Sequence, residues 1–355
     1  MYTADLLGVA AGGTRRGARV VGNLNVNLDA DLEAGLGWKG ASLHVSGQVD
    51  HGGQPNLLAG TLQGIDNFEV THHVAKLYEA WFDQSFAGGR VDLRVGLYGV
   101  DSEFDVTDSA AIFLQPTMGT SSEFAATGAY GPSIYPSTAL AVRVNVQARS
   151  DLYIRLALVN AEAGDPGDTQ GVNVKFDQGL LVIGESGWTG RGKVAVGIWA
   201  YTRDQPDLRD VLPSGGPRPR RSRGIYLTVD QPVYEAASGM QASAFLRLGA
   251  SDGDTAPFRA AGAAGVTAVH VLGSRPDSTL ALGFIWGALS PKYRENSADA
   301  GAPLSSAETG LELTFSDKLG KHLMLQPDLQ YIHDPAGGPS IRDALILGLR
   351  GQLTF

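Results

Sequence analysis

Ala344–Phe355 reads ALILGLRGQLTF, and the alternation in those residues decides what kind of sheet this chain forms. Leu345, Leu347, Leu349, Leu353 and Phe355 fall on one side of an extended chain, with Gly351 among them. Ala344, Ile346, Gly348, Arg350, Gln352 and Thr354 fall on the other. A period of two marks a strand lying between an apolar and a polar environment. In a soluble sandwich the apolar side would face a packed core, and a chain rarely stops in mid-strand on an aromatic. In a membrane-spanning barrel the apolar side faces lipid, the polar side faces a watery lumen, and aromatics gather at the interfaces. The terminal Phe355 favours the barrel.

Composition agrees. The chain has 355 residues, 47 of them Gly and none Cys, and a formal net charge of -9. Without Cys there are no disulfides, zinc-thiolate sites or thiol nucleophiles. Only 43% of the residues are hydrophobic, and no stretch approaches the roughly 20 apolar residues a spanning helix needs. A barrel escapes that requirement because each strand shows lipid only every second residue. The acidic balance argues against a nucleic-acid partner. No secretory signal peptide precedes the pattern, so the barrel reading expects Met1 to begin a processed or engineered chain.

Upstream, alternating stretches of about ten residues recur and helical periodicity is nearly absent. Tyr2–Val9 is a short candidate strand. Leu24, Val26, Leu28 and Ala30 alternate with Asn23, Asn25, Asn27, Asp29 and Asp31, and Ala41–Val49 puts Ser42, His44, Ser46, Gln48 and Asp50 on its polar side. Such rows of polar residues suit a wet lumen. A long loop, His51–His73, leads to a strand at Lys76–Asp83 whose phase is ambiguous: Glu79 and Trp81 share one face, Tyr78 and Phe82 the other. Asp92 and Arg94 then point inward. Gly99–Ala139 has no strand pattern, and a structureless stretch of that length in a compact domain is usually functional. Further strands are read at 140–147, 152–158, Val172–Phe176, Leu180–Ser186, Val194–Thr202 and onward to the terminus, with a Pro/Arg-rich loop at Arg203–Arg223. The tally is odd, whereas single-chain bacterial barrels have an even strand number. The turn-length alternation slips between Val172 and Arg223, so one strand there is misread or one is hidden. The expectation is a single all-β domain over 1–355: a transmembrane antiparallel up-and-down barrel of sixteen strands, with eighteen as the alternative. Its long loop, 99–139, is expected to fold into the lumen.

Several blocks resemble the carbohydrate-selective porin (OprB) family. They are LEAGLGWKGASLHVSG (Leu32–Gly47), NLLAGTLQGIDNFE (Asn56–Glu69), LYEAWFDQSF (Leu77–Phe86), LRVGLYGVDSEF (Leu93–Phe104), LQPDLQYIHDPAG (Leu325–Gly337) and IRDALILGLR (Ile341–Arg350). The resemblance runs in order along nearly the whole chain. It implies a monomeric-type sixteen-stranded barrel in the bacterial outer membrane, passing carbohydrates such as glucose passively into the periplasm. Outer-membrane lipid and a carbohydrate substrate are the implied partners, and the protein is expected as a monomer or homotrimer. The family usually begins with an extra N-terminal segment containing a Trp-Gly-Gly motif; the chain opens at Tyr2 without it, so the first strand is expected to be incomplete. Polysaccharide export, a general non-selective porin, and a soluble all-β carbohydrate-binding protein are the other readings.

A neutral sugar must exchange water's hydrogen bonds for side-chain donors and acceptors, with an aromatic on its apolar face. Inward donors are Arg94, Arg143, Arg155, Arg247 and Arg350; inward acceptors are Glu79, Asp101, Glu103, Glu185, Glu308, Glu312 and Asp328. Most of these would only solvate the lumen or brace its wall. Arg94, Asp101 and Glu103 stand out because they flank the start of the long loop. Trp81 and Trp199 are stacking platforms or interface residues. Enzymatic readings are weak. His44, Ser46 and Asp50 sit two apart on one polar face, which is the default in a lumen. His72–His73 lacks a third ligand, the glycines at 8–13 lack a phosphate-loop Lys, and Gly184–Trp188 misses the nucleophile-elbow pattern. No catalytic residue, metal or cofactor is expected.

Overall fold

The computed structural model describes residues 1–128 and 130–355; Ala129, within the long loop, lies outside the described residues. In chain order the strands are β1 (Tyr2–Gly13), β2 (Gly17–Asp31), β3 (Ala41–Gly52), β4 (Val74–Phe86), β5 (Val91–Tyr98), β6 (Ala139–Arg149), β7 (Leu152–Asn160), β8 (Leu180–Trp188), β9 (Lys193–Tyr201), β10 (Gln205–Val211) and β11 (Pro217–Arg220). They continue as β12 (Arg223–Glu235), β13 (Gln241–Ser251), β14 (Phe258–Val269), β15 (Thr279–Leu289), β16 (Ala307–Leu319), β17 (Leu323–His333) and β18 (Arg342–Leu353). All but β10 and β11 form one closed barrel in which each strand pairs antiparallel with its neighbour, sixteen strands in all. Closure leaves no sheet edge, so every strand satisfies its backbone polar groups without water, as a bilayer demands. Among the described residues no helix is long and apolar enough to cross a membrane.

The period of two sorts side chains as the sequence implies. Val26, Leu28, Ile154, Ile198, Leu282 and Leu347 stand exposed on the outer surface, while Asn23, Gln48, Asp50, Thr228, Glu312 and Gln330 are buried inside. Outside a water-soluble protein that inversion is what lipid requires. Chain ends and short turns such as Ala87–Arg90 gather at one rim. The long connections 53–73, 99–138, 161–179, 202–222 and 290–306 gather at the other, the polarity of an outer-membrane barrel with its short turns toward the periplasm.

Four expectations change. Val172–Phe176 is not a strand; it belongs to the loop 161–179, where Val174 and Phe176 are exposed, and its apolar alternation has no neighbouring strand to pair with. Removing it restores an even count. The Pro/Arg-rich loop does hide a hairpin, β10–β11, but that hairpin stays outside the barrel. The first strand is complete enough to close the barrel, since β1 pairs with β18 from Tyr2↔Leu353 to Gly13↔Arg342. Across that seam Arg350 donates two hydrogen bonds to Asp5, at 2.8 and 2.6 Å. Finally, the inward face of β18 is not all polar. Ala344 and Ile346 are fully buried against Leu7, Leu58, Ile65, Leu114 and Ile332.

That last contact locates the core. Two loops enter the lumen, not one. The loop 99–138 does so as expected, with β5 ending at Tyr98 and β6 beginning at Ala139, and the loop 53–73 joins it. Their apolar residues pack on inward apolar wall residues in three clusters, the largest joining Phe104 and Phe124 to Trp199, Tyr201 and Tyr226. Inward glycines make the room. A Cβ on Gly249 would sit 1.6 Å from the Glu123 carboxylate of the loop, and one on Gly283 would meet Met118 at 2.4 Å. So part of this lumen is a packed core, and the channel is what remains.

Candidate functional site

Partly exposed inward charges gather along β3–β7, and register places them. Asp83 of β4 pairs with Arg94 of β5, which pairs with Arg143 of β6, placing all three on one rung. Two adjacent arginines would repel each other. Asp83 offsets this by accepting from Arg94 Nε at 3.0 Å and from Arg143 Nη2 at 3.3 Å. Glu103, delivered by the long loop, completes the neutralisation. It accepts from Arg143 Nε and Nη2 at 2.9 and 3.0 Å and lies 3.9 Å from Arg94. Arg155, next along β7, donates to the Glu103 carbonyl at 2.5 Å. Tyr98 donates its hydroxyl to Glu103 as well. Burial alone would raise the Glu103 carboxyl, but Arg155, Arg143 and Arg94 together hold it below its ordinary range. The cluster is braced yet still wet: Arg94, Asp83 and Glu103 keep 15%, 16% and 19% side-chain exposure.

Trp81 is turned inward, which settles the phase of β4. The His44 ring stacks on it at 4.8 Å and the Arg94 guanidinium lies over it at 3.7 Å. With those neighbours its faces are occupied, so it supports Arg94 by cation–π contact. Glu79 accepts from the Gly99 N–H at 2.8 Å and so pins the start of the long loop. Asp101 does not join the Glu103 cluster. It accepts from the Tyr135 N–H at 3.1 Å and faces a separate cavity on the outer side.

The other predicted charges serve the loops. Glu185 is buried under hydrogen bonds from the Tyr153 and Tyr226 hydroxyls and the Asp105 N–H. Arg247, 1% exposed, donates to the carbonyls of Asp105, Gly119 and Thr117. Glu308 accepts the N–H groups of Leu62, Gln63 and Ala336, and Glu312 those of Leu114 and Gln115. Asp328 is buried beside Glu312, accepting from Gln330. Trp199 is buried against Phe124 at 5.4 Å, neither a platform nor an interface residue. Asp83 and His44 were absent from the candidate donors and acceptors. Asp83 shares parity with Glu79 and Trp81, so periodicity exposes it once the phase of β4 is known. The hydrolase arrangement dissolves: His44 bonds Asp29, and Asp50 bonds Asn23, Gln48 and Tyr135.

Chemically, the β3–β7 wall offers fixed donors and acceptors in near balance, which suits a neutral ligand rich in hydroxyls. On the inner side a cavity of about 320 Å³ continues it, lined by Ser102, Asn145, Gln147, Arg155, Thr189 and Lys193.

Comparison with known proteins agrees with this geometry. The family described as "Carbohydrate-selective porin, OprB family" matches residues 15–355. A structure of Pseudomonas putida OprB at high pH superposes with a TM-score of 0.90 at 18% identity, covering all of this chain and 93% of that one. The outer-membrane channel DcaP of Acinetobacter baumannii gives 0.57 at 13% identity, covering 100% and 95%. At those identities the likeness shows the fold. A protein of Acinetobacter baylyi named as a porin, QuiX, is 38% identical over 53 residues, a stretch spanning 15% of this chain and 12% of QuiX. The match along nearly the whole chain and the sixteen-stranded barrel lead to one conclusion: the chain belongs to the carbohydrate-selective porin (OprB) family of bacterial outer-membrane channels.

Proposed function

We propose that the protein is a passive channel through which monosaccharides such as glucose diffuse into the periplasm, and that Arg94, Arg143 and Arg155 around Glu103 form its selective constriction. The observation that carries this reading is a cluster of paired charges whose Arg94, Asp83 and Glu103 stay partly exposed beside the infolded loop. A neutral sugar loses no net charge interaction on arrival, and the guanidinium and carboxylate edges replace its water. A hydrogen bond to a charged group is worth roughly 1.5–3 kcal/mol, much of it offset by desolvation. Affinity near millimolar, about -4 kcal/mol, follows and suits a pore that must release what it captures. Two loops packed inside the lumen argue against polysaccharide export, which needs an unobstructed bore. Arg247 and Glu185 act in this reading by holding the loop, and Trp81 by holding Arg94. The test is planar-bilayer conductance with and without glucose for the wild type beside Arg94→Ala and Glu103→Ala. Equal glucose block in all three would move the constriction elsewhere.

A further inference from the structure

On the outer side of the constriction, between the two infolded loops, lies a cavity of about 450 Å³. That is within the range of small-molecule sites. Its charged lining is Asp66 and Glu69 from one loop and Asp101 from the other, with no Lys or Arg among the lining residues. Here the acids are not balanced as Glu103 is. Arg350 comes within 3.9 Å of Asp66 from behind, but it is committed to Asp5 at 2.6 Å. Asp66 is 4% exposed, and its Oδ2 has no hydrogen-bond partner. Glu69 is met by the Asn56 N–H at 2.8 Å and Asp101 by the Tyr135 N–H. Beside these carboxylates stand two aromatic rings, Phe68 and Tyr135, edge to face at 5.7 Å; the Arg350 guanidinium lies over Phe68 at 4.7 Å, so Tyr135 is the ring left to meet a solute.

Carboxylates short of cations, next to an aromatic ring, are the complement of a protonated amine carried on a compact polar body. A divalent ion is a poorer fit. The carboxylates of this cavity do not converge as a ligand set; among the described residues the group that does is His333, Asp334 and Asp343, at the outer rim. A neutral sugar would leave the acids unmatched. We propose that this cavity is an outer station that binds solutes bearing a protonated amine, amino sugars foremost, before they reach the constriction of paired charges. The station rests on the carbohydrate-channel reading above and adds a substrate class to it.

The test compares block of single-channel current by glucosamine, N-acetylglucosamine and glucose, with liposome swelling by glucose alongside. Glucosamine is expected to half-block at a concentration about five-fold lower than the other two, the effect of one exposed charge pair. Glu69→Gln with Asp101→Asn keeps an oxygen to accept from Asn56 and Tyr135, and should bring the three sugars to parity while glucose still enters. Equal block of the wild type by glucosamine and N-acetylglucosamine, or a preference that survives the double variant, overturns the station alone. Failure of glucose itself to enter overturns the carbohydrate-channel reading along with it.

Discussion

Two stretches of the lumen wall carry the same residue types and use them in opposite ways. Along β3–β7, Asp83, Arg94 and Arg143 pair side chain to side chain with one another and with Glu103 of the long loop; Asp83, Arg94 and Glu103 keep partial exposure while Arg143 is buried beneath them. On β8, β13 and β16, Glu185, Arg247, Glu308 and Glu312 are 2% exposed or less and bond mainly to loop backbone and buried hydroxyls. The first set keeps part of its surface open to the lumen; the second is consumed in holding two loops inside a barrel. The two sets differ in what they pair with: mostly other charged side chains in the first, mostly loop backbone in the second. Saturation by backbone groups is the sign of an anchor, because a buried N–H or carbonyl must be paired somewhere.

The sharpest way to break the comparison is Arg247→Ala. It strips the carbonyls of Asp105, Gly119 and Thr117 of their donor and leaves the buried Asp105 carboxylate without its cation, 3.8 Å away. Leaving one member of a buried pair costs about 3–5 kcal/mol. The loop should detach, raising single-channel conductance and abolishing glucose block. Wild-type values of both would mean that the loop is anchored elsewhere.

Arg94→Ala on the opposite wall should act differently. Conductance should stay equal or rise slightly, while the half-blocking glucose concentration increases about tenfold, as loss of roughly 1.4 kcal/mol requires. If this variant opened the channel as widely as Arg247→Ala, the two walls would not be distinct.

A smaller effect separates the constriction of paired charges from the acidic vestibule. Burial pushes the Glu69 carboxyl up to about 7 and that of Asp101 up to about 6, the latter also raised by Glu79. Both groups are mostly neutral at pH 5 and ionised at pH 8, so negative charge at the outer cavity grows with pH. Reversal potentials in a KCl gradient should show K⁺ preference over Cl⁻ rising across that window. A flat profile, or one unchanged by Glu69→Gln with Asp101→Asn, would assign selectivity to the constriction alone.

Phe355→Ser should alter neither wall. Phe355 lies beyond the last paired residue of β18 and is 81% exposed. As an assembly signal its loss should lower folded yield in the membrane but leave the conductance of folded channels at the wild-type value. Altered conductance per channel would tie the terminus to the pore.

Strand periodicity carried most of the fold. Asn23–Asp31, Ser42–Asp50 and the final strand show their lumen faces directly, and position at the start of the long loop singled out Arg94, Asp101 and Glu103 together. Periodicity misled at Val172–Phe176, where alternation occurs without a pairing partner. Loop position could not separate Asp101 from Glu103, two residues apart, because a short helical turn at Val100–Ser102 sends them to different cavities.

The sequence by itself determined that this chain is a barrel and, β4 apart, which side chains look inward, since period two is a local property that residue order alone sets. Tertiary structure decided which of those side chains are free. Gln63 meets Glu308, Leu114 meets Glu312, and Arg247 meets Thr117 across separations of more than a hundred residues. Those partners depend on the path of two loops through the lumen, and that path follows the apolar packing and the inward glycines that make room for it.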